Sequence, residues 1–208
     1  NAKIIVSSDN NHLTMSGGIS AKILNSAGPE IMEELIKLRP SKLGDVVVTS
    51  AGRLNNPIYI YHCISIDEER SFSIFNSEIS DNDLNSCIIG QAVSKCLHLM
   101  NSMGLDSIAF PTIGTGSAQI PFRTAISGMI TNIIKFLGST NKSYKIELYL
   151  HGFNYEFSIE DYFYLIELIA SHKEIVNLSH KNITCVSDDL LPIHQDATIS
   201  QTLHHSPF

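Results

Sequence analysis

The 208-residue sequence predicts an α/β fold, a sheet with helices on both of its faces. Three observations predict it. Short β-branched apolar runs alternate along the chain with longer segments of helical apolar spacing, the order that builds a sheet with crossover helices. Two glycine-containing loops each follow an apolar run and precede a helical one, as strand-to-helix connections do. The composition, 43% hydrophobic and 17% charged, is that of a globular domain with a full core.

Lys3 to Val6 is a short buried-strand pattern. Ile19 to Leu38 carries helical spacing broken at Gly28-Pro29, which predicts two successive helices. Asp45 to Ala51 and Ile58 to Ile66 are β-branched and aromatic strands joined by a turn at "NNP", a hairpin or two neighbouring strands. Residues 67–80 are polar with isolated Phe72 and Phe75 and read as a loop. From Ser80 to Met103, Leu84, Ile88, Val93, Cys96, Leu97 and Met100 share one helical face, and Gly104 fits the stop. Ser107 to Phe110 is a strand, and a helix opening at Pro121 and ending at Gly138 follows. Tyr144 to His151 is another strand, and Ser158 to Ser171 a helix with a serine cap and acidic first turn. Residues 1–172 are thus expected to form the domain and 173–208 a peripheral, partly mobile C-terminal extension.

Composition narrows the partners. A net charge of −7 without a basic block argues against nucleic acid. Cys63, Cys87, Cys96 and Cys185 have no C-x-x-C spacing, so neither a metal site nor a cofactor is expected. No run approaches the ~20 apolar residues of a membrane span, and no signal peptide is present, so a reducing, cytoplasmic setting is expected. The start at Asn1, directly before "KIIV", is expected to follow further chain, and the oligomeric state is not fixed by the sequence.

The two loops carry the chemistry. Gly17 and Gly18 precede one helix; Gly114 and Gly116, with Thr112, Thr115 and Ser117, precede another. Glycines let backbone N–H groups approach an anion, and a helix N-terminus adds a favourable dipole. Two such loops facing one another suit a diphosphate and hence a nucleotide-like ligand. A tight turn without function remains the alternative for either loop alone. No lysine follows the glycines as in a Walker A loop, and G-x-G-x-x-G is absent.

Three ordered blocks, "IIVSSDNNHLTMSGGISAKILNSAGPEIMEEL", "GDVVVTSAGRLNNPIYIYHCISI" and "SIAFPTIGTGSAQIP", resemble the macrodomains, which bind ADP-ribose and its derivatives. The resemblance covers roughly residues 2–170 and implies a three-layer α/β/α sandwich with a mixed sheet. It implies that Asn10 meets the distal ribose, that Gly17, Gly18 and Ile19 form the first diphosphate loop, and that Gly114, Thr115, Gly116 and Ser117 form the second. The family's acidic adenine-recognising residue, ahead of the first motif strand, has no counterpart here; Phe153 and Tyr155 are candidates for stacking on adenine, or for the core.

Two departures from the pattern shape the functional expectation. Where hydrolytic members of the family carry an aspartate, this chain has Ser20, which cannot act as a carboxylate base. Where the second loop usually carries an aromatic residue and then glycine, this chain has Ala118 and Gln119, a wider and more polar end of the pocket. The resemblance then implies a non-catalytic binder of ADP-ribose or of a conjugate substituted on the distal ribose, the sensor of a larger effector. Macrodomains of type II Thoeris anti-phage systems, preceded by membrane segments, offer a precedent. An ADP-ribosyl hydrolase using Asp9 or substrate-assisted water is the alternative, and a scaffold macrodomain a third.

Other residues attract simpler readings. Asp9 and His12 flank Asn10 and read as a backbone-capping carboxylate and a rim histidine. His62 and Cys63 are adjacent in a strand, point to opposite faces and belong to the core. Arg123 either neutralises phosphate charge or is a solvated helix residue.

Overall fold

The computed structural model describes residues 2–68, 81–150, 158–172 and 183–187, without the side chains of 81–84 and 183–187. The elements run β1 (Ile4–Asn10), α1 (Gly18–Ala27), α2 (Glu30–Ile36), β2 (Val46–Ser50), β3 (Tyr59–Ile66), α3 (Asp81–Ser102), β4 (Ser107–Pro111), α4 (Phe122–Gly138), β5 (Lys145–Leu150), α5 (Ile159–Ala170) and β6 (Ile183–Ser187). Six strands form one sheet in the order β2-β3-β1-β4-β5-β6. All neighbours pair parallel except β2 with β3, so the sheet is mixed. The strand pair around "NNP" is therefore an antiparallel hairpin. The edge strand β6 lies within 173–208 and pairs parallel with β5.

Side-chain alternation along the strands feeds two cores. Ile4, Val6, Tyr61, Cys63, Ile108, Phe110, Ile146 and Leu148 meet α3, α4 and Leu165 of α5 on one face. Ile60 and Ile64 meet Ile23, Ala27, Ile31 and Leu35 of α1 and α2 on the other. Helix α4 buries Phe122, Ile126, Met129, Ile130, Ile133 and Leu137, the stripe its sequence spacing predicts. Truncating one of these to alanine costs about 2–5 kcal/mol.

β1 runs four residues beyond the predicted strand, through Ser7, Ser8, Asp9 and Asn10. The polar tract read as loop is strand because its side chains find partners across the sheet. Asp9 Oδ2 meets His62 Nδ1 at 2.9 Å, and His62 Nε2 meets Thr49 Oγ1 at 2.9 Å. All three residues are buried and span β1, β3 and β2. Asp9 is thus committed to a core histidine, a correction to the backbone-capping role expected of it. Cys63 points the other way, its Sγ 3.4 Å from that of Cys96.

This topology also positions the site. From β1 the chain leaves through α1 and α2 toward β2 and β3; from β4 it leaves through α4 toward β5, on the opposite side. β1 and β4 are neighbours, paired at Ile4↔Ile108 and Ile5↔Ala109. Their C-terminal ends therefore border a crevice from which connections depart in opposite directions, the place where open α/β sheets bind ligands.

Candidate functional site

The first loop, after β1, delivers Gly17 and Gly18 to the start of α1. Gly17 is the N-cap, no side chain caps the helix, and its first turn has no acidic residue. The second loop, after β4, leads to α4, whose N-cap Pro121 likewise offers no side-chain cap and whose first turn is also free of acidic residues. α5 differs: Ser158 and Asp161 form a capping box, and Glu160 and Asp161 add negative charge. The two helices at the crevice thus keep the N-terminal electrostatics that favour an anion.

The second loop is a compact turn held by its own backbone. Gln119 N–H donates to Gly116 O at 2.9 Å and Ile120 N–H to Gly114 O at 3.0 Å. Gly114 has φ +82, a left-handed backbone that favours glycine, and a Cβ there would lie 2.6 Å from Ile120 Cδ1, so the isoleucine would have to shift. A hydroxyl chain ties this loop to the sheet. Gly114 N–H donates to Ser8 Oγ at 3.3 Å, and Ser8 and Ser65 hydroxyls lie 2.7 Å apart. Ser65 Oγ in turn reaches Asp9 O at 3.5 Å.

Between the loops opens a cavity of about 440 Å³. Its lining includes Gly17, Gly18, Ile19, Thr112, Gly114, Thr115, Gly116, Ser117 and Ala118, nine of the residues singled out in the sequence, together with Ser8. From there it extends over the sheet face to Ile5, Ala109, Glu147 and Tyr149. Asn10, Ser20 and Gln119 do not line it. Ser20 is buried and donates to Gly17 O at 2.7 Å. Gln119 is exposed at the tip of its turn, with φ +53. Phe153 and Tyr155 lie outside the described residues.

Asn10 is held by its neighbours. Its Nδ2 donates to Thr14 Oγ1 at 2.8 Å and to Glu68 Oε1 at 2.5 Å, while its Oδ1 accepts from Thr14 N–H at 3.0 Å. Asn11 similarly engages Asp67 and the Glu68 amide. His12 is half-buried beside them. Arg123 turns away from the cavity: its Nε donates to Asp161 at 3.0 Å and its guanidinium lies 5.3 Å from the Tyr164 ring centroid. It is therefore neither a phosphate ligand nor a merely solvated residue.

Lys22 and Glu147 are cavity-lining charges that the sequence reading missed. Lys22 follows Gly18 by four residues, which puts it on the same helix face, a signal present in "GGISAK". Glu147 is 8% exposed and pairs with Lys145 Nζ at 2.6 Å, which holds the lysine's pKa above its ordinary value. Among the described residues no group of histidine, cysteine or carboxylate side chains is arranged to hold a metal, and no helix is long and apolar enough to cross a membrane.

Known proteins resemble this chain in sequence and in fold. An uncharacterised protein of Pyrobaculum aerophilum is 30% identical over 155 residues, 73% of this chain and 78% of that one. An O-acetyl-ADP-ribose deacetylase of Pantoea vagans is 28% identical over 146 residues, 68% of this chain and 78% of that one. In structure, the Oceanobacillus iheyensis macrodomain with ADP superposes with a TM-score of 0.64 at 25% identity, covering 83% of this chain and 85% of that one. The Trypanosoma brucei macrodomain in complex with ADP-ribose shares the fold, with a TM-score of 0.62 at 19% identity over 81% of this chain and 63% of that one. The Macro domain family model matches residues 6–129, from β1 through both loops into α4, and this chain belongs to the Macro domain family.

Proposed function

We propose that this chain is a non-catalytic reader of ADP-ribose or of an ADP-ribose-derived nucleotide signal, and that it serves as the sensor of a larger effector. One observation carries the reading: two glycine loops, each opening a helix without side-chain cap or acidic first turn, line one cavity at the switch point of the sheet. A diphosphate between them accepts backbone hydrogen bonds from both sides. Family members with ADP and with ADP-ribose support that choice of ligand.

Ser20 supports binding without turnover. Its hydroxyl is buried and spent on Gly17 O, and it supplies no carboxylate to activate water. Ala118, small and cavity-lining, leaves room beside the second loop for a substituent on the distal ribose. An effector of the type II Thoeris kind, with this domain on the cytoplasmic side of a membrane, is the setting that this open end best suits.

Calorimetry with ADP-ribose tests the reading, on the parent and on Gly116→Glu. A Cβ on Gly116 meets no atom within 4 Å, so the fold accepts the substitution, while the new carboxylate opposes the diphosphate. Binding by the parent and loss in the variant are expected; equal affinities remove the phosphate site from these loops. Release of ADP-ribose from modified protein, or of acetate from O-acetyl-ADP-ribose, at an ordinary enzyme rate instead makes the chain a hydrolase; the second of these reactions is the one named for its Pantoea vagans relative.

A further inference from the structure

We propose, resting on the nucleotide-binding reading above, that Lys22 and Asn56 form a third anion position in the cavity. It takes a phosphate on the nucleoside ribose and so selects 2′-phospho-ADP-ribose over plain ADP-ribose. The wall that α1 gives the cavity descends from Gly18 and Ile19 at the glycine loops to Lys22 and Ile23 one turn on. Below them the turn between β2 and β3 brings Asn56 and Pro57 to the same cavity. That turn is fixed on two sides. Arg53 N–H donates to Ala27 O, at the C-terminal end of α1, at 2.8 Å, and Ile58 N–H donates to Lys3 O, just ahead of β1, at 2.6 Å. Gly18, Lys22 and Asn56 therefore follow one another down one side of the cavity.

Lys22 and Glu147 are the charged side chains that line the cavity, and they are not in the same position. Glu147 Oε1 has Lys145 Nζ at 2.6 Å. Among the described residues no hydrogen bond or ion pair engages the Lys22 ammonium or the Asn56 carboxamide. In the binding mode proposed above, the two glycine loops answer the two phosphates of the diphosphate with backbone N–H groups. A cation one turn further along α1 then stands beside the next unit of the ligand, the ribose that joins diphosphate to base. The Cα–Cβ bond of Lys22 leans toward the helix N-terminus, so its stem runs back along the ligand rather than down to the turn. A 2′-phosphate on that ribose, the group that marks nucleotides derived from NADP, meets the ammonium from one side and the carboxamide N–H from the other. Hydrogen bonds from both donors to its oxygens are charge-assisted. The other side chains at that end, Ala2, Ile5, Ile23 and Pro57, are apolar, so an anion there has these two donors to itself.

Titration of ADP-ribose and 2′-phospho-ADP-ribose by calorimetry, into the parent, Lys22→Met and Asn56→Ala, tests the assignment. Both positions are exposed, so the fold accepts either substitution. The parent is expected to bind the 2′-phosphorylated ligand about tenfold tighter, the effect of one hydrogen bond to a charged group. Lys22→Met is expected to bring the two ligands to near-equal affinity while plain ADP-ribose binds as it does to the parent. Asn56→Ala is expected to keep only part of the preference. Equal affinities in the parent, or survival of the full preference in Lys22→Met, overturns the assignment. A Lys22→Met protein that loses both ligands equally overturns it too and makes the lysine a partner of the diphosphate, and an unchanged preference in Asn56→Ala strikes the carboxamide from the position. If neither ligand binds the parent, the nucleotide reading itself fails; binding of both without preference sinks the third anion position alone.

Discussion

Gly17 and Ser117 stand face to face: a Cβ built on Gly17 would lie 3.6 Å from Ser117 Oγ. Residues one hundred apart in sequence thus close the two loops to within a side chain of each other. In the proposed binding mode the diphosphate lies in this gap.

Gly17 has φ −150, extended backbone open to any residue, so Gly17→Val is expected to leave the fold intact. Its branched side chain fills the gap toward Ser117. Affinity for ADP-ribose is expected to fall at least tenfold, about 1.4 kcal/mol, with cooperative unfolding retained in the absence of ligand and only the small drop in thermal midpoint that a poorer N-cap brings. Unchanged affinity in calorimetry places the ligand elsewhere in the cavity.

Ala118→Phe replaces open space beside the second loop with a ring. A conjugate carrying a substituent on the distal ribose is expected to lose on the order of 1–3 kcal/mol through overpacking, while plain ADP-ribose keeps its affinity. Parallel titrations of the two ligands decide the matter. Equal losses, or a parent that already prefers plain ADP-ribose, make the domain an ordinary ADP-ribose reader.

The Asp9–His62–Thr49 row predicts a graded loss of stability. His62→Ala removes the partner of a fully buried carboxyl and is expected to cost about 3–5 kcal/mol. Thr49→Val removes one hydrogen bond to the ring and is expected to cost about 1 kcal/mol. Urea melts of the two variants read the difference directly. A His62→Ala protein as stable as Thr49→Val shows that Asp9 does not depend on the imidazole.

Cysteine chemistry separates core from surface. Burial pushes the Cys96 thiol well above its ordinary pKa, and Cys63 beside it is also fully buried, whereas Cys87 is exposed on α3. Thiolate is the reactive form, so iodoacetamide at neutral pH is expected to modify Cys87 while Cys63 and Cys96 remain unmodified until denaturant is added. Peptide mapping by mass spectrometry checks each site.

How much of this was legible before the structure depends on whether the signal was local. Helix α4 could be read because a period of 3.6 survives whatever it packs against. The loops at Gly17 and Gly114 could be read because glycine before a helix has a backbone meaning of its own. The second half of β1 could not: Ser7, Ser8, Asp9 and Asn10 look like a loop until His62, Ser65 and Glu68 arrive from β3 and the residues just after it. Glu147 was illegible for a related reason. In "KIELYL" an acidic residue reads as the solvent side of a strand, and only the layout of helices over the sheet turns that side into a cavity floor. Arg123 was misread because its partner, Asp161, belongs to another helix.

The chain of donors from Gly114 through Ser8 and Ser65 to the Asp9 carbonyl has a kinetic consequence. It ties the second loop to β1, the strand that carries the first, and through Ser65 to β3, so the two walls of the crevice are expected to move together. A ligand then meets a site that needs no closing step. Association is expected to follow a single exponential whose rate rises linearly with ligand concentration, without the plateau that a slow lid imposes, and selectivity among nucleotides is left to their dwell times.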